Sequence, residues 1–233
     1  NVENTPALRA NIIDKVHPGS DGSLWFGSSR GLTRYQDGQW TGIELQPGRD
    51  VAVAALANDI DGQLLAGTDR GLYRIDAAGV QVLGLRDRPV GAIARNGSTV
   101  YAASNREVHE INGENARAHP LPGGDNAPTV TALWAAPEGL YAGTRRGIFQ
   151  LDDTRWVVPD WAVPLAQHRI EALYRDSDGN LWIGTTEGAW RFHPRRGLEP
   201  CLTASLPGTA WIASFFEDRE GNLWIGSLTH SLA

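Results

Sequence analysis

Hydrophobic residues fall along this chain in short blocks cut off by glycine, and no long stretch keeps the 3.6-residue spacing of an amphipathic helix. The clearest block is DSDGNLWIGTTEGAWRF, residues 176–192. Asp178-Gly179 predicts a tight hairpin turn, because glycine reaches positive φ at little cost. Leu181-Trp182-Ile183 reads as a buried strand, the stretch from Gly184 to Gly188 as a second turn, and Ala189 to Phe192 as the returning strand.

This pattern repeats. A near copy, DREGNLWIGS, opens at Asp218, and a weaker one, GSDGSLWFGSSRGLTRY, opens at Gly19. Aligned on the residue that ends the LWxG strand, the copies fall at Gly27, Gly67, Ala103, Gly143, Gly184 and Gly226, with intervals of 40, 36, 40, 41 and 42 residues. A period near 40 built from β-type blocks predicts propeller blades and excludes helical repeats. Each unit opens on an apolar-x-small-apolar strand, starting at Ile13, Val53, Val90, Val130, Ile170 and Ile212. Its third position is Lys15, Ala55, Ala92, Ala132, Ala172 or Ser214, small wherever strands converge on an axis except at Lys15.

The second strand carries Trp25, Leu65, Tyr101, Tyr141, Trp182 or Trp224, and a third strand follows the second glycine. A looser fourth strand follows in the first five units, as at 38–43 and 154–158. Unit three has Ala103 and Glu107 where the others have glycine, which predicts a poorer turn, with strain or a displaced loop. The fold class expected is all-β: a β-propeller of four-stranded antiparallel blades with about five and a half repeats, read as part of a larger propeller. The blades are placed at 11–46, 50–86, 89–122, 128–160, 168–207 and 210–233, the last incomplete.

The DxDGNLWIGTxxGLxRY pattern carried by residues 176–192 and 218–226 resembles the two-component regulator propeller repeat. The resemblance covers nearly the whole chain, strongest in units one, five and six. It implies the extracytoplasmic sensor region of a bacterial membrane receptor, whose histidine kinase, hybrid two-component or diguanylate cyclase output lies outside these residues. It thereby implies a periplasmic location and neighbouring propeller or receptor domains as partners. The motif marks a blade and names no ligand.

Composition narrows the function. The net charge is −6, which gives no electrostatic case for nucleic acid. Cys201 is the single cysteine, so no internal disulfide forms. No apolar run approaches the roughly 20 residues of a membrane-spanning helix. The start at Asn1 without Met reads as a processed or excised chain.

The loop 176–180 lacks the alternating oxygen ligands and the glutamate of a calcium loop, since Thr185 stands at the glutamate position. The Asp-box of sialidase-type propellers needs Asp-x-Gly, and Asp178 and Gly179 are adjacent. The six histidines form no zinc pattern, and there is no GxSxG elbow or phosphate loop. No metal, cofactor or catalytic residue is assigned, and the chain is read as non-catalytic.

One column rises above scaffolding. The position before the second glycine column reads Arg30, Arg70, Arg106, Arg146, Glu187 and His230, with Arg145 beside Arg146. Equivalent turns occupy equivalent places in a repeat, so these side chains are expected to ring one face. Guanidinium groups there favour carboxylate or phosphate, as in an acidic, uronate-containing oligosaccharide. The alternative is that arginine is only a soluble turn residue, pairing with acids such as Asp69. Trp161, in the loop from Pro159 to Pro164, is expected to be exposed and available for stacking. The function expected is an extracytoplasmic sensor propeller that binds a small molecule or oligosaccharide. A propeller lyase or glycosidase, and a structural or homodimerising module, remain as alternatives.

Overall fold

The computed structural model describes residues 7–137, 139–201 and 211–228, and among these residues five sheets of four antiparallel strands and one sheet of two carry the β-structure, beside two short 3-10 helices. Each sheet is a meander of consecutive strands. Blade one is β1 (Lys15–Pro18), β2 (Leu24–Ser28), β3 (Gly31–Gln36) and β4 (Gln39–Ile43). Blade two is β5 (Val53–Asn58), β6 (Leu64–Thr68), β7 (Gly71–Asp76) and β8 (Gly79–Leu83). Blade three is β9 (Ala92–Asn96), β10 (Thr99–Ser104), β11 (Glu107–Asn112) and β12 (Asn115–Pro120). Blade four is β13 (Val130–Ala136), β14 (Gly139–Thr144), β15 (Gly147–Asp152) and β16 (Arg155–Val157). Blade five is β17 (Ile170–Arg175), β18 (Leu181–Thr185), β19 (Gly188–His193) and β20 (Gly197–Pro200); β21 (Ile212–Glu217) and β22 (Leu223–Ser227) form the sixth sheet.

The expected strand starts hold at Val53, Val130, Ile170 and Ile212 and shift two residues later in blades one and three. There the chain enters through single backbone bonds, Asp14 N–H to the Gly27 carbonyl at 2.9 Å and Gly91 N–H to the Ala103 carbonyl at 3.0 Å. The chain divides into two compact units, residues 1–119 and 120–233.

In the first unit, one core cluster joins blades one and two through Trp25, Leu32, Val53 and Tyr73, and another joins blades two and three through Leu65, Leu72, Val90 and Val100. In the second unit, Tyr141, Ile148, Leu165, Ile170 and Ile183 join blades four and five. Burying side chains of this size contributes roughly 1.5–3 kcal/mol each. Blade six carries exposed aromatic surface, with Phe216 54% and Trp224 58% accessible.

The glycine column that sets the repeat is a packing device. A Cβ on Gly27 would lie 2.7 Å from Val53 Cγ1, one on Gly67 2.8 Å from Val90 Cγ1, and one on Gly143 2.7 Å from Ile170 Cγ2. The chain entering blades two, three and five thus presses a β-branched side chain into the place a Cβ would take. That close approach brings adjacent sheets into contact near their inner edges.

The turn before Leu181 departs from the tight Asp178-Gly179 hairpin expected. Gly179 N–H donates to the Asp176 carbonyl at 3.1 Å, and Asp176 N–H donates to the Asn180 carbonyl at 3.0 Å. With Gly179 at φ +83°, this is a turn over 176–179 that ends in a left-handed glycine. Asp176, rather than Asp178, holds it. Its carboxylate accepts from Asn180 N–H at 2.7 Å, Asn180 Nδ2 at 2.7 Å and Trp182 Nε1 at 2.8 Å. Asp218 repeats the arrangement with Asn222 and Trp224.

Candidate functional site

The arginine column sits at the tips of the hairpins between second and third strands, and a buried hydroxyl shapes each tip. Thr68 Oγ1 donates to the Gly71 carbonyl at 2.9 Å and accepts from Arg70 N–H at 3.0 Å. Ser28 does the same for Gly31 and Arg30, Thr144 for Gly147 and Arg146, and Thr185 for Gly188 and Glu187. The hydroxyl satisfies the tip's inner polar groups, so the backbone is held while the side chain projects outward. A Ser or Thr directly after the glycine column was visible in the sequence as Ser28, Thr68, Ser104, Thr144, Thr185 and Ser227, but its role depends on this turn geometry.

Blade three resolves its missing glycine differently from the expectation. Its tip keeps the shared register, with Ser104 opposite Glu107 as Ser28 is opposite Gly31. The loop is therefore not displaced. Positive φ moves to Asn105, at +57°, a residue type that tolerates it. The cost falls on Ser104, whose buried Oγ has no hydrogen-bond partner. Removing a satisfied buried hydroxyl strands its partners, whereas removing an unsatisfied one does not. Thr185→Val is therefore expected to cost about 1–2 kcal/mol and Ser104→Ala about zero, read from urea unfolding midpoints. Equal costs at the two positions would sink this account.

Arg30, Arg70 and Arg106 occupy the same tip position in the three blades of the first unit, and all three are exposed. Arg30 Nε pairs with Asp50 at 2.8 Å, and Arg70 stands 3.9 Å from Asp69. Arg106 has no ion-pair partner among the described residues. Arg88 pairs with Glu107 beside it at 2.6 Å. The tips share their face with the connectors between blades: Asp69 N–H donates to the Ala52 carbonyl at 3.0 Å, and Asp87 N–H to the Arg70 carbonyl at 2.9 Å.

In the second unit, Arg145 and Arg146 share one exposed tip. Arg145 N–H donates to the Thr129 carbonyl at 3.2 Å, and Arg146 Nη2 donates to the Asn126 carbonyl at 3.1 Å. Glu187, also exposed, lies 3.6 Å from His168 Nε2. By count along the sequence, His230 is one residue past the counterpart of Glu187, since Glu187 stands three after Gly184 and Thr229 three after Gly226. His230 and Thr229 both lie outside the described residues.

Trp161 is not the exposed platform expected. It lies in a 3-10 helix, Asp160–Leu165, and stacks on Phe192 with ring centroids 4.1 Å apart and planes at 17°. Tyr141 also packs against it, tilted by 50° with ring centroids 6.1 Å apart. With Ala162 and Leu165 fully buried, the segment packs into the core of blades four and five, and the ring follows it. The Pro-flanked loop signal was right about the turn, but it carries no information on which way an aromatic ring folds.

Blade three also buries His109, where Glu107 Oε2 approaches Nε2 at 3.2 Å. Burial, together with the nearby Arg88 charge, lowers its pKa below the ordinary value of 6.5, against the opposing pull of Glu107. Among the described residues no group of three or more His, Cys, Asp or Glu side chains is placed to hold a metal ion.

Residues 164–187 and 205–229 match the two-component regulator propeller family. The extracellular domain of a hybrid two-component system from B. thetaiotaomicron is similar in structure, with a TM-score of 0.77 and 17% identity over 94% of this chain and 31% of that one. A second such domain from the same organism gives 0.74 and 19% over 94% and 33%. This chain thus spans about a third of the length of those domains. Virginiamycin B lyase from Staphylococcus aureus, in a catalytically inactive form with quinupristin, gives 0.74 and 14% over 94% of this chain and 78% of that one. At these identities the likeness establishes the fold, a β-propeller. A comparison with curated proteins found no match.

Proposed function

We propose that this chain, which carries two-component regulator propeller repeats at 164–187 and 205–229, is a non-catalytic sensor propeller of a bacterial signal-transduction receptor. Its location in this reading is extracytoplasmic, periplasmic in a receptor anchored in the inner membrane. An alkaline phosphatase fused to the full receptor beside this segment would be active, and an inactive fusion would refute the placement. The observation that carries the ligand-binding role is the set of arginine tips in the first unit. Rigid blades hold Arg30, Arg70 and Arg106 at one repeated position, where sequence can vary without disturbing the sheets.

Charged tips of this kind suit an acidic oligosaccharide better than a neutral one. Arg30 is already engaged by Asp50, so Arg106 is the cation most available to a ligand. Polygalacturonate at about a hundred times its dissociation constant is expected to add about 2.7 kcal/mol of stability in a thermal-shift assay, less at high salt. Neutral dextran is expected to add none. Arg106→Ala should weaken binding more than Arg30→Ala. An equal response to dextran, or no response to either, would overturn the reading.

A further inference from the structure

Blade one lacks three polar side chains that blade five has around its first hairpin loop, and a cleft lies beside them. The loop at 19–23 reads GSDGS, and its counterpart at 176–180 reads DSDGN. Both have the same frame. Gly19 N–H donates to the Ser23 carbonyl at 2.8 Å and Gly22 N–H to the Gly19 carbonyl at 3.2 Å, as Asp176 and Gly179 do in blade five. Gly19 therefore stands where Asp176 stands.

The residues facing that position are the same in both blades. Trp25 is paired across the strands with Arg34, and Trp182 with Arg191. The guanidinium carbons lie 5.4 and 5.6 Å from the respective ring centroids. In blade five the protein supplies both acceptors: Asp176 takes the Trp182 indole N–H at 2.8 Å, and Glu199 takes Arg191 Nε–H at 2.9 Å. In blade one Thr41 holds the register position of Glu199. Arg34 Nε is buried without a hydrogen-bond partner. The Trp25 indole N–H donates to no atom among the described residues. Asp21 occupies only part of the space, binding Arg34 Nη2 and the Ser23 amide and hydroxyl. A Cβ on Gly19 would lie 2.3 Å from Ser23 Oγ, 2.7 Å from Asp21 Oδ1 and 2.9 Å from Trp25 Nε1, so Ser23 and Asp21 lean into the place of the Asp176 side chain, and a carboxylate that meets the indole N–H comes from the cleft side.

The space left is a cleft of about 310 Å³ between blades one and two, into which Trp25 and Arg34 face over an apolar floor of Ile43, Leu64 and Ile75. We propose that this cleft binds a small organic acid. Its carboxylate accepts from Trp25 Nε1–H and the Arg34 guanidinium, and its apolar body lies on Ile43, Leu64 and Ile75. The charge count has a precedent in the same molecule, since Asp176 and Glu199 place two carboxylates around the Trp182–Arg191 pair. Asp21 plus one ligand carboxylate gives blade one the same number. Asp76 also lines the cleft, and its charge disfavours a second anionic group on the ligand. The site is independent of the arginine tips.

The test uses the full chain and the indole ¹⁵N–H resonance of Trp25, assigned by its loss in Trp25→Phe. Butyrate and benzoate are expected to shift it saturably, with butyramide and benzamide at least roughly tenfold weaker. Gly19→Asp with Ser23→Asn converts the loop to the sequence that blade five already folds, and is expected to abolish acid binding while raising the melting temperature. Arg34→Gln, which leaves the loop untouched, should weaken acid binding roughly tenfold and covers the case in which the double variant does not fold. An unmoved Trp25 resonance at ~50 mM acid, equal binding of acids and amides, or undiminished binding by the folded variants would overturn the proposal.

Discussion

Gly184→Val is expected to destabilise the second unit by about 3 kcal/mol, the upper end of the usual overpacking range. A Cβ at Gly184 would lie 2.6 Å from the Ile212 carbonyl oxygen, 3.1 Å from Ile212 Cγ2 and 3.2 Å from Phe215 Cε2. The nearest obstacle is backbone, so no rotamer change relieves it, and the first strand of blade six must move. Gly91→Ala is the control, because its Cβ would meet nothing within 4 Å. That change is expected to stay within about 0.5 kcal/mol. Urea midpoints of both variants check the pair. A Gly184→Val protein as stable as wild type would show that the column is not a packing constraint.

The second large effect falls on Asp176. Asp176→Ala removes the acceptor for Asn180 N–H, Asn180 Nδ2 and Trp182 Nε1 at once, and Asn180 is buried. Hydrogen bonds to a charged group are worth about 1.5–3 kcal/mol. The carboxylate is partly exposed and screened, so about 2 kcal/mol is expected for the set.

The same contacts predict a pH signature. Burial raises the Asp176 pKa, but the bonds from Asn180, Trp182 and the Asp178 amide outweigh it and bring the net value below the ordinary 3.8. A carboxylate with a lowered folded pKa contributes stability above its unfolded value, and that contribution is lost as pH falls through the folded one. Wild type should therefore lose stability below about pH 3.8, and Asp176→Ala should lose less over that window. Parallel acid limbs would contradict this reading of Asp176.

Blade five shows how far local pattern reaches. Every strand between Ile170 and His193 was legible, because alternating burial and glycine punctuation act within a few residues of each other. The role of Asp176 was not, since its partners Asn180 and Trp182 are brought to it only by the turn geometry. Trp161 was misread for a similar reason: whether a loop tryptophan faces water depends on Tyr141 and Phe192, which belong to two different blades.

By itself the sequence determined the repeat, its period, the all-β class and the column of arginines, all of which follow from short-range spacing. The tertiary structure decided what each column is for. Glycine at 27, 67, 143 and 184 makes room for a neighbouring blade, Ser28, Thr68, Thr144 and Thr185 fix the tips, and Gly19 leaves the Trp25 indole N–H and Arg34 Nε without acceptors beside a cleft. Those roles are distances between residues far apart along the chain, and such distances exist only once the blades have packed.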